Sequence, residues 1–274
     1  ATGQLRLAVA GDAHFGSKYA RNDLTSEMLE HISNPENAFD LFFFLGDIVE
    51  YGYRDNQWQQ AFTTFSEATS TIPVRYVSGN HDTLFAGFNN YKNYCYPEGM
   101  TLDTGSRLWY RVDVGNISFL FLDLEWSVES YTPAQAEWLE EQLKNIPNDN
   151  WKIVLSHGYF YTSGLEGFGW KWYDNPETIK AITPLFIEYG VDLVCSSHSH
   201  SPELLSADGV IYAISGVFGG MPDPERTYVS SASLWYENGL YSFLDITIDG
   251  DTCNLIFRNC DFEEVYSFTF TKNN

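Results

Sequence analysis

The chain has 274 residues, 44% of them apolar, which is enough for one large domain or two small ones. Its formal charge of −22, from 37 acidic and 15 basic residues, argues against nucleic acid as the main partner, because such binders displace counterions with clustered Lys and Arg. No stretch is long and apolar enough to span a bilayer, and the opening ATGQLRLAVA has no basic region before its apolar run, so no signal peptide is read there.

Short apolar runs alternate with helical patterns along the chain, the signature of layered α/β architecture. LRLAVA (5–10) reads as a strand, and residues 25–32 as a helix with Thr25 as N-cap. DLFFFLG (40–46) is apolar throughout, as a strand buried on both faces requires. A helix over 55–69 and a strand at VRYVSG (74–79) follow, and beyond residue 82 the chain reads as an aromatic loop. Residues 108–125 form two strands joined at Gly115-Asn116. TPAQAEWLEEQLKNI (132–146) is a helix with Thr132 as N-cap, Pro133 at the first position and acids in its early turns. WKIVLS (151–156) is a strand, 159–175 a Gly- and aromatic-rich loop, and 176–189 a helix ended by Gly190. VDLVCS (191–196) and VIYAIS (210–215) are strands, and the C-terminal third (208–272) is an antiparallel meander. The fold class is α/β: two packed mixed sheets flanked by helices, in a single domain spanning 1–274.

The four cysteines match no zinc motif. Cys195 closes an apolar run and reads as a buried thiol, while Cys95 carries no signal of its own. Cys253 and Cys260 point to opposite faces of a regular strand, so a disulfide between them needs a turn or bulge.

Five of the six histidines follow a strand directly, beside Gly, Asp, Asn or Ser. LRLAVA runs into Gly11-Asp12-Ala13-His14, LFFFL into Gly46-Asp47, and VRYVS into Gly79-Asn80-His81-Asp82. KIVLS runs into His157-Gly158, and DLVCSS into His198-Ser199-His200. In an α/β sheet the carboxyl ends of the strands share one edge, where sites assemble. Carboxylate, imidazole and amide oxygen suit Mn, Zn, Fe or Ni rather than thiolate-seeking ions. A carboxylate can bridge two such ions, and the pair can clamp a phosphate. Two divalent ions would also make a positive pocket in a protein whose overall charge repels phosphate.

These motifs, D-x-H, G-D, G-N-H-D, a lone His and H-x-H, stand in the order and spacing of the calcineurin-like metallophosphoesterases, which the chain resembles from residue 12 to residue 200. The resemblance implies a four-layer sandwich and two divalent ions. Asp12, His14 and His200 would hold the first, Asn80, His157 and His198 the second, and Asp47 both. It implies hydrolysis of a phosphate mono- or diester, with a hydroxide held between the metals as nucleophile. His81 would act on the transferring phosphoryl group or the leaving oxygen, and Asp82 would orient it and favour its cationic form. The substrate implied is a small ester rather than DNA or RNA.

Two positions depart from the family pattern. Ser197 replaces the glycine before H-x-H, from which only a local backbone adjustment is expected. The helix at 132–146, the segment through 214 and the closing meander are similar to the extracellular acid-phosphatase branch, which leans the chain toward an extracytoplasmic location. That branch has a tyrosine iron ligand three residues after the bridging Asp. Here the place is Glu50, and the His of D-x-H is present, both of which argue against a tyrosinate–iron centre. A non-catalytic binding module on the same fold and a mononuclear zinc amide hydrolase are the alternative readings.

Of the remaining residues, His31 reads as structural and Asp123 as a turn or surface acid in preference to a partner of the site. The 159–175 loop is either a substrate wall, with Tyr159, Trp170, Trp172 and Tyr173 available, or packing against the domain. Lys171 reads as solvated. Gly164, Gly167 and Gly169 lack the following helix that a nucleotide-cradling loop needs.

Overall fold

The computed structural model describes residues 3–96, 106–167 and 170–272. From the N-terminus, β1 (Leu5–Ala10), α1 (Asn22–Ser33), β2 (Leu41–Phe44), α2 (Asp55–Thr71) and β3 (Val74–Tyr76) alternate. Two short helices, α3 (Asn80–Thr83) and α4 (Phe88–Cys95), come next. β4 (Tyr110–Val114) and β5 (Ile117–Phe121) form the expected hairpin, with Gly115 at a φ of 60° that suits glycine. Then come α5 (Pro133–Asn145), β6 (Trp151–Leu155), a small hairpin of β7 (Leu165–Gly167) and β8 (Trp170–Trp172), α6 (Pro176–Glu188) and β9 (Leu193–Ser196). The chain closes through β10 (Glu203–Ala207), β11 (Val210–Ile214), β12 (Ser233–Tyr236), β13 (Ser242–Asp249), β14 (Thr252–Asn259) and β15 (Glu264–Thr271).

These strands make two large sheets. The first has the order β15-β14-β13-β1-β2-β3, the second β12-β10-β11-β9-β6-β5-β4. β1, β2 and β3 run parallel, with Val9 beside Phe43 and Phe43 beside Arg75. β5, β6, β9 and β11 are also parallel. The C-terminal meander joins the first sheet when β13 pairs antiparallel with β1.

Alternation along the strands of the second sheet explains the layering. Phe119 and Phe121 of β5, with Ile153 and Leu155 of β6, enter the core between the sheets. There Phe43 of β2 meets Phe119 and Phe121 edge to face, with ring centroids 4.9 and 5.1 Å apart. Leu120, Val154 and Val194 point the other way, onto Leu139 and Leu143 of α5 and Ile182 and Phe186 of α6. β2 has no polar face because Met28 of α1 and Phe65 of α2 cover its outer side. The result is four layers: helices, sheet, sheet, helices.

The structure corrects several expectations. α1 starts at Asn22, one turn before the expected cap. Thr25 is buried inside the helix and its hydroxyl donates to the Phe218 carbonyl at 2.7 Å. α3 and α4 occupy part of what reads as loop, because Trp58, Tyr91 and Tyr96 supply tertiary packing that local pattern does not show. Residues 97–105 of that loop lie outside the described residues. β10 and β12 were not foreseen; β10 is short and carries the buried polar Glu203, which breaks its apolar pattern. The first turn of α5 holds no acid, although Thr132 caps it as expected. Asp123 is buried rather than exposed. His31 stacks on Phe262 at 3.9 Å, in keeping with a structural role. All four cysteines are free, with Cys253 buried and Cys260 half-buried at opposite ends of β14.

Candidate metal centre

β1, β2 and β3 of the first sheet run into Asp12 and His14, Asp47, and Asn80 and His81; β6 and β9 of the second run into His157 and into His198 and His200. Backbone bonds lock these turns together. The Asp12 N–H donates to the Gly46 carbonyl, His14 N–H to the Asp47 carbonyl, and Ser197 N–H to the His157 carbonyl, each at 3.0 Å. Asp12, His14, Asp47 and His198 all have φ between 51° and 67°. This left-handed region costs a non-glycine residue on the order of 1–2 kcal/mol, and such strain persists where the surrounding structure enforces it. Gly79 sits so near Asp47 that a Cβ there would overlap its carboxylate and amide.

The side chains gather into two groups that meet at one atom. Asp12, His14 and His200 form the first and Asp47, His157 and His198 the second, while Glu50 and His81 gather around His14 at the side. Asp47 Oδ2 lies 3.6 Å from His14 Nε2 and 3.4 Å from His157 Nε2, so it faces both. Its other oxygen accepts the His81 N–H at 2.9 Å. Asn80 Oδ1 is 3.1 Å from His157 Nε2, which places the amide with the second group. All seven residues read from the sequence as ligands therefore converge.

The donor set fits a pair of cations. His157 Nδ1 donates to the Leu45 carbonyl at 2.7 Å, His200 Nδ1 to the Met221 carbonyl at 2.6 Å, and His14 Nδ1 to Glu50 Oε2 at 3.1 Å. With Nδ1 so engaged, Nε2 is the nitrogen each ring turns to the cavity, and on loss of its proton it offers a lone pair to a cation. The His14 and His200 Nε2 atoms face each other at 3.3 Å, and His157 Nε2 faces His198 Nδ1 at 3.1 Å. Facing lone pairs repel unless positive charge lies among them. Asp12 Oδ1 is buried without a hydrogen-bond partner, 3.4 Å from His200 Nε2. A buried orphan carboxylate oxygen is costly, and a cation is the partner it lacks.

Electrostatics say the same. Burial opposes charge on His157, yet the Asp47 and Asp12 carboxylates outweigh it and hold the ring at about 9. Burial likewise opposes charge on His200, and Asp12 raises it to about 10. Burial and the neighbouring His157 charge push His198 down to about 3. Burial works to raise Asp47, but His157 and His81 keep it well below the ordinary carboxylate range. The cavity thus stabilises positive charge on whatever group can carry it.

His81 stands beside this cluster. Its Nδ1 donates to the Glu50 carbonyl at 2.8 Å, and Glu50 Oε2 lies 3.9 Å from the same nitrogen. The contact on the His81 ring therefore comes from Glu50, where Asp82 was expected. The Asp82 carboxylate accepts the Val49 and Gly79 N–H groups at 3.1 and 3.0 Å and is fully buried, so its task is to hold the two turns together. Ser197 does more than adjust the backbone: its hydroxyl donates to Asp12 Oδ2, which also accepts the His198 N–H at 3.0 Å. Asp123 accepts from the Ser78 hydroxyl at 2.8 Å, two residues before Asn80, and burial lifts it to about 6.

A cavity of about 370 Å³ opens above Asp47, Asn80, His81, His198 and His200. Trp126, Tyr159 and Trp172 form its aromatic side, and Trp126 meets His198 edge-on at 4.6 Å. Part of the 159–175 loop is thus a wall. Tyr173 instead stacks on Tyr228 at 4.1 Å, and Lys171 rests 5.9 Å from the Tyr173 ring. Gly169 and the Trp170 side chain lie outside the described residues.

The profile of the family described as Calcineurin-like phosphoesterase matches residues 5–202, most of the chain. The chain belongs to the calcineurin-like phosphoesterase family. It is 25% identical over 209 residues to purple acid phosphatase 18 of Arabidopsis thaliana, covering 73% of this chain and 44% of that protein. It spans less than half the length of the curated relatives it matches. Its fold is similar to that of the purple acid phosphatase PPD1 from yellow lupin (Lupinus luteus), with a TM-score of 0.82, 18% identity, and coverage of 100% of this chain and 55% of that one. It is also similar to GAP50, described as the anchor in the inner membrane complex of Plasmodium, with a TM-score of 0.73, 18% identity, and coverage of 99% and 90%. At that identity these two structures bear on the fold alone. Members of the family depend on metal, typically two ions, and this chain carries candidate ligand groups for it.

Three site residues escape sequence reasoning. In the sequence Glu50 stands out only as a departure from tyrosine, although its place three residues after Asp47 keeps it beside His14. Asp223 lines the cavity and accepts the His200 N–H at 2.8 Å, from a loop with no local signal. Trp126 follows a strand end without any polar motif to mark it.

Proposed function

We propose that the chain hydrolyses a small phosphate ester at a site holding two divalent ions. The observation that carries this reading is Asp47, whose single oxygen faces both ligand groups. Asp12, His14 and His200 would hold one ion, Asn80, His157 and His198 the other, and Asp47 both. When bound, two such ions supply Lewis acidity that neutralises phosphoryl oxygens and lowers the pKa of water toward neutrality. The protein supplies orientation and proton handling. Hydrolysis adds a water oxygen to phosphorus as the bond to the leaving oxygen breaks. With Nδ1 donating to the Glu50 carbonyl, Nε2 of His81 is the nitrogen left to bond a phosphoryl oxygen or, when it carries a proton, to protonate the leaving oxygen. Trp126, Tyr159 and Trp172 limit water on the cavity's aromatic side.

The activity resides, on this reading, in one domain completed by the C-terminal strands. The purple acid phosphatase relatives support an extracytoplasmic setting, and no helix among the described residues is long and apolar enough to cross a membrane. The test is turnover of p-nitrophenyl phosphate and bis(p-nitrophenyl) phosphate by protein carrying two Mn²⁺ or Zn²⁺ per chain. Release of p-nitrophenol from at least one ester is expected. Absence of turnover from both would favour a binding module on the same fold.

A further inference from the structure

A second cleft, of about 470 Å³, lies on the other side of the aromatic wall. It is lined by Glu125, Trp126, Glu129, Ser130 and Trp172. Trp126 and Trp172 line both this cleft and the metal cavity, so a ligand reaching past them would touch both spaces. Among the described residues, no lysine or arginine lines it. Glu125 is half-buried, and its Oε1 is a buried oxygen without a hydrogen-bond partner; its Oε2 accepts from the Thr83 hydroxyl at 2.8 Å. Glu129 is exposed at the rim.

The walls are held in place before any ligand arrives. Asn175 Nδ2 donates to the Trp126 carbonyl at 3.3 Å, and the Ser127 hydroxyl donates to Asn175 Oδ1 at 3.0 Å. The Glu125 N–H donates to the Ser130 hydroxyl at 3.2 Å. A fixed aromatic wall with carboxylates beside it attracts a compact cation, through ring quadrupoles and Coulomb attraction together. An anionic group meets the Glu129 carboxylate and Glu125, which burial raises to about 7 and which an approaching cation would favour as carboxylate, and no compensating base among the described residues. A flat heterocycle has no slot to enter, because the two indoles touch each other with centroids 4.9 Å apart and planes 58° apart.

We propose that this cleft receives the alcohol portion of the phosphate ester and that this alcohol carries an alkylammonium group, held over Trp126 and Trp172 and against Glu125 and Glu129. The proposal rests on the phosphoesterase reading for where the phosphate sits. Its test compares phosphocholine with 3,3-dimethylbutyl phosphate, the neutral ester of the same shape, each as the monoester and as the p-nitrophenyl diester. Two-metal protein is expected to prefer the cationic ester by roughly tenfold or more in kcat/KM. Glu129→Gln and Trp126→Leu should each pull that ratio toward one. Equal use of both esters, or preference for the neutral one, would overturn the cleft assignment and leave the phosphoesterase reading standing. If no ester is turned over, the phosphoesterase reading fails, and tetramethylammonium chloride binding, followed by tryptophan fluorescence, decides the cleft. Saturable quenching that Glu129→Gln weakens supports it, and no saturable quenching overturns it.

Discussion

The two sheets bring unlike halves of the site. The β1–β2–β3 edge carries both carboxylates, the amide, His14 and His81, whereas the β6–β9 edge carries imidazoles alone, His157, His198 and His200. Apart from the others, the first half would concentrate negative charge and the second would face buried lone pairs. Only their apposition gives a donor set balanced for divalent cations. This apposition is fixed by bonds across the sheets, from His157 Nδ1 to the Leu45 carbonyl and from Ser197 to Asp12. The interface between the sheets is therefore both the hydrophobic core and the frame of the site.

The comparison can be broken most severely at Asp47, where the halves meet. Asp47→Asn should lose both ions and reduce turnover by more than about 10³-fold, read by metal analysis and p-nitrophenyl phosphate hydrolysis. Loss of one ion only would mean the oxygen is not shared. His81→Ala should keep both ions yet lower turnover by about 10²–10⁴-fold. An emptied site in that variant would make His81 a ligand instead. Glu50→Gln should weaken metal affinity by about 10–100-fold, because it perturbs the partner of His14 and not a direct ligand.

The smallest effect concerns Asp123, which follows β5 of the second sheet and accepts from Ser78 of the first sheet's edge. Burial raises it to about 6. An acid whose folded pKa is raised contributes stability below its unfolded value, near 3.9, and loses it as pH rises through the folded one. Wild type should therefore lose on the order of 3 kcal/mol between about pH 4 and pH 6 from this group, and Asp123→Asn should flatten that slope. Urea unfolding at the two pH values measures it. An unchanged slope would mean Asp123 is ionised in the folded state.

The two regions also differ in how far they could be read from the chain. The ligands were legible because each follows a strand within a few residues, so the local pattern of apolar run, turn and polar residue carries the information. The two-sided burial of β2 and the Thr132 cap of α5 were legible for the same local reason. The aromatic cleft was not. Trp126 and Trp172 are 46 positions apart and meet only through the fold, and Glu125 looks like any surface acid in sequence. The Asp82 expectation failed because adjacency in sequence suggested a contact with His81, while the short helix α3 turns the carboxylate toward Val49 and Gly79. Thr25 failed as a cap because its hydroxyl had a better acceptor 193 residues away, at Phe218.

The central claim is that two ions, each held by ligands from both sheets, act together on the ester. Turnover of p-nitrophenyl phosphate and its bis ester measured against bound metal per chain tests it most directly. The account predicts that activity stays near background up to one ion per chain and rises as the second binds. Full activity at one ion, or none at two, would contradict it.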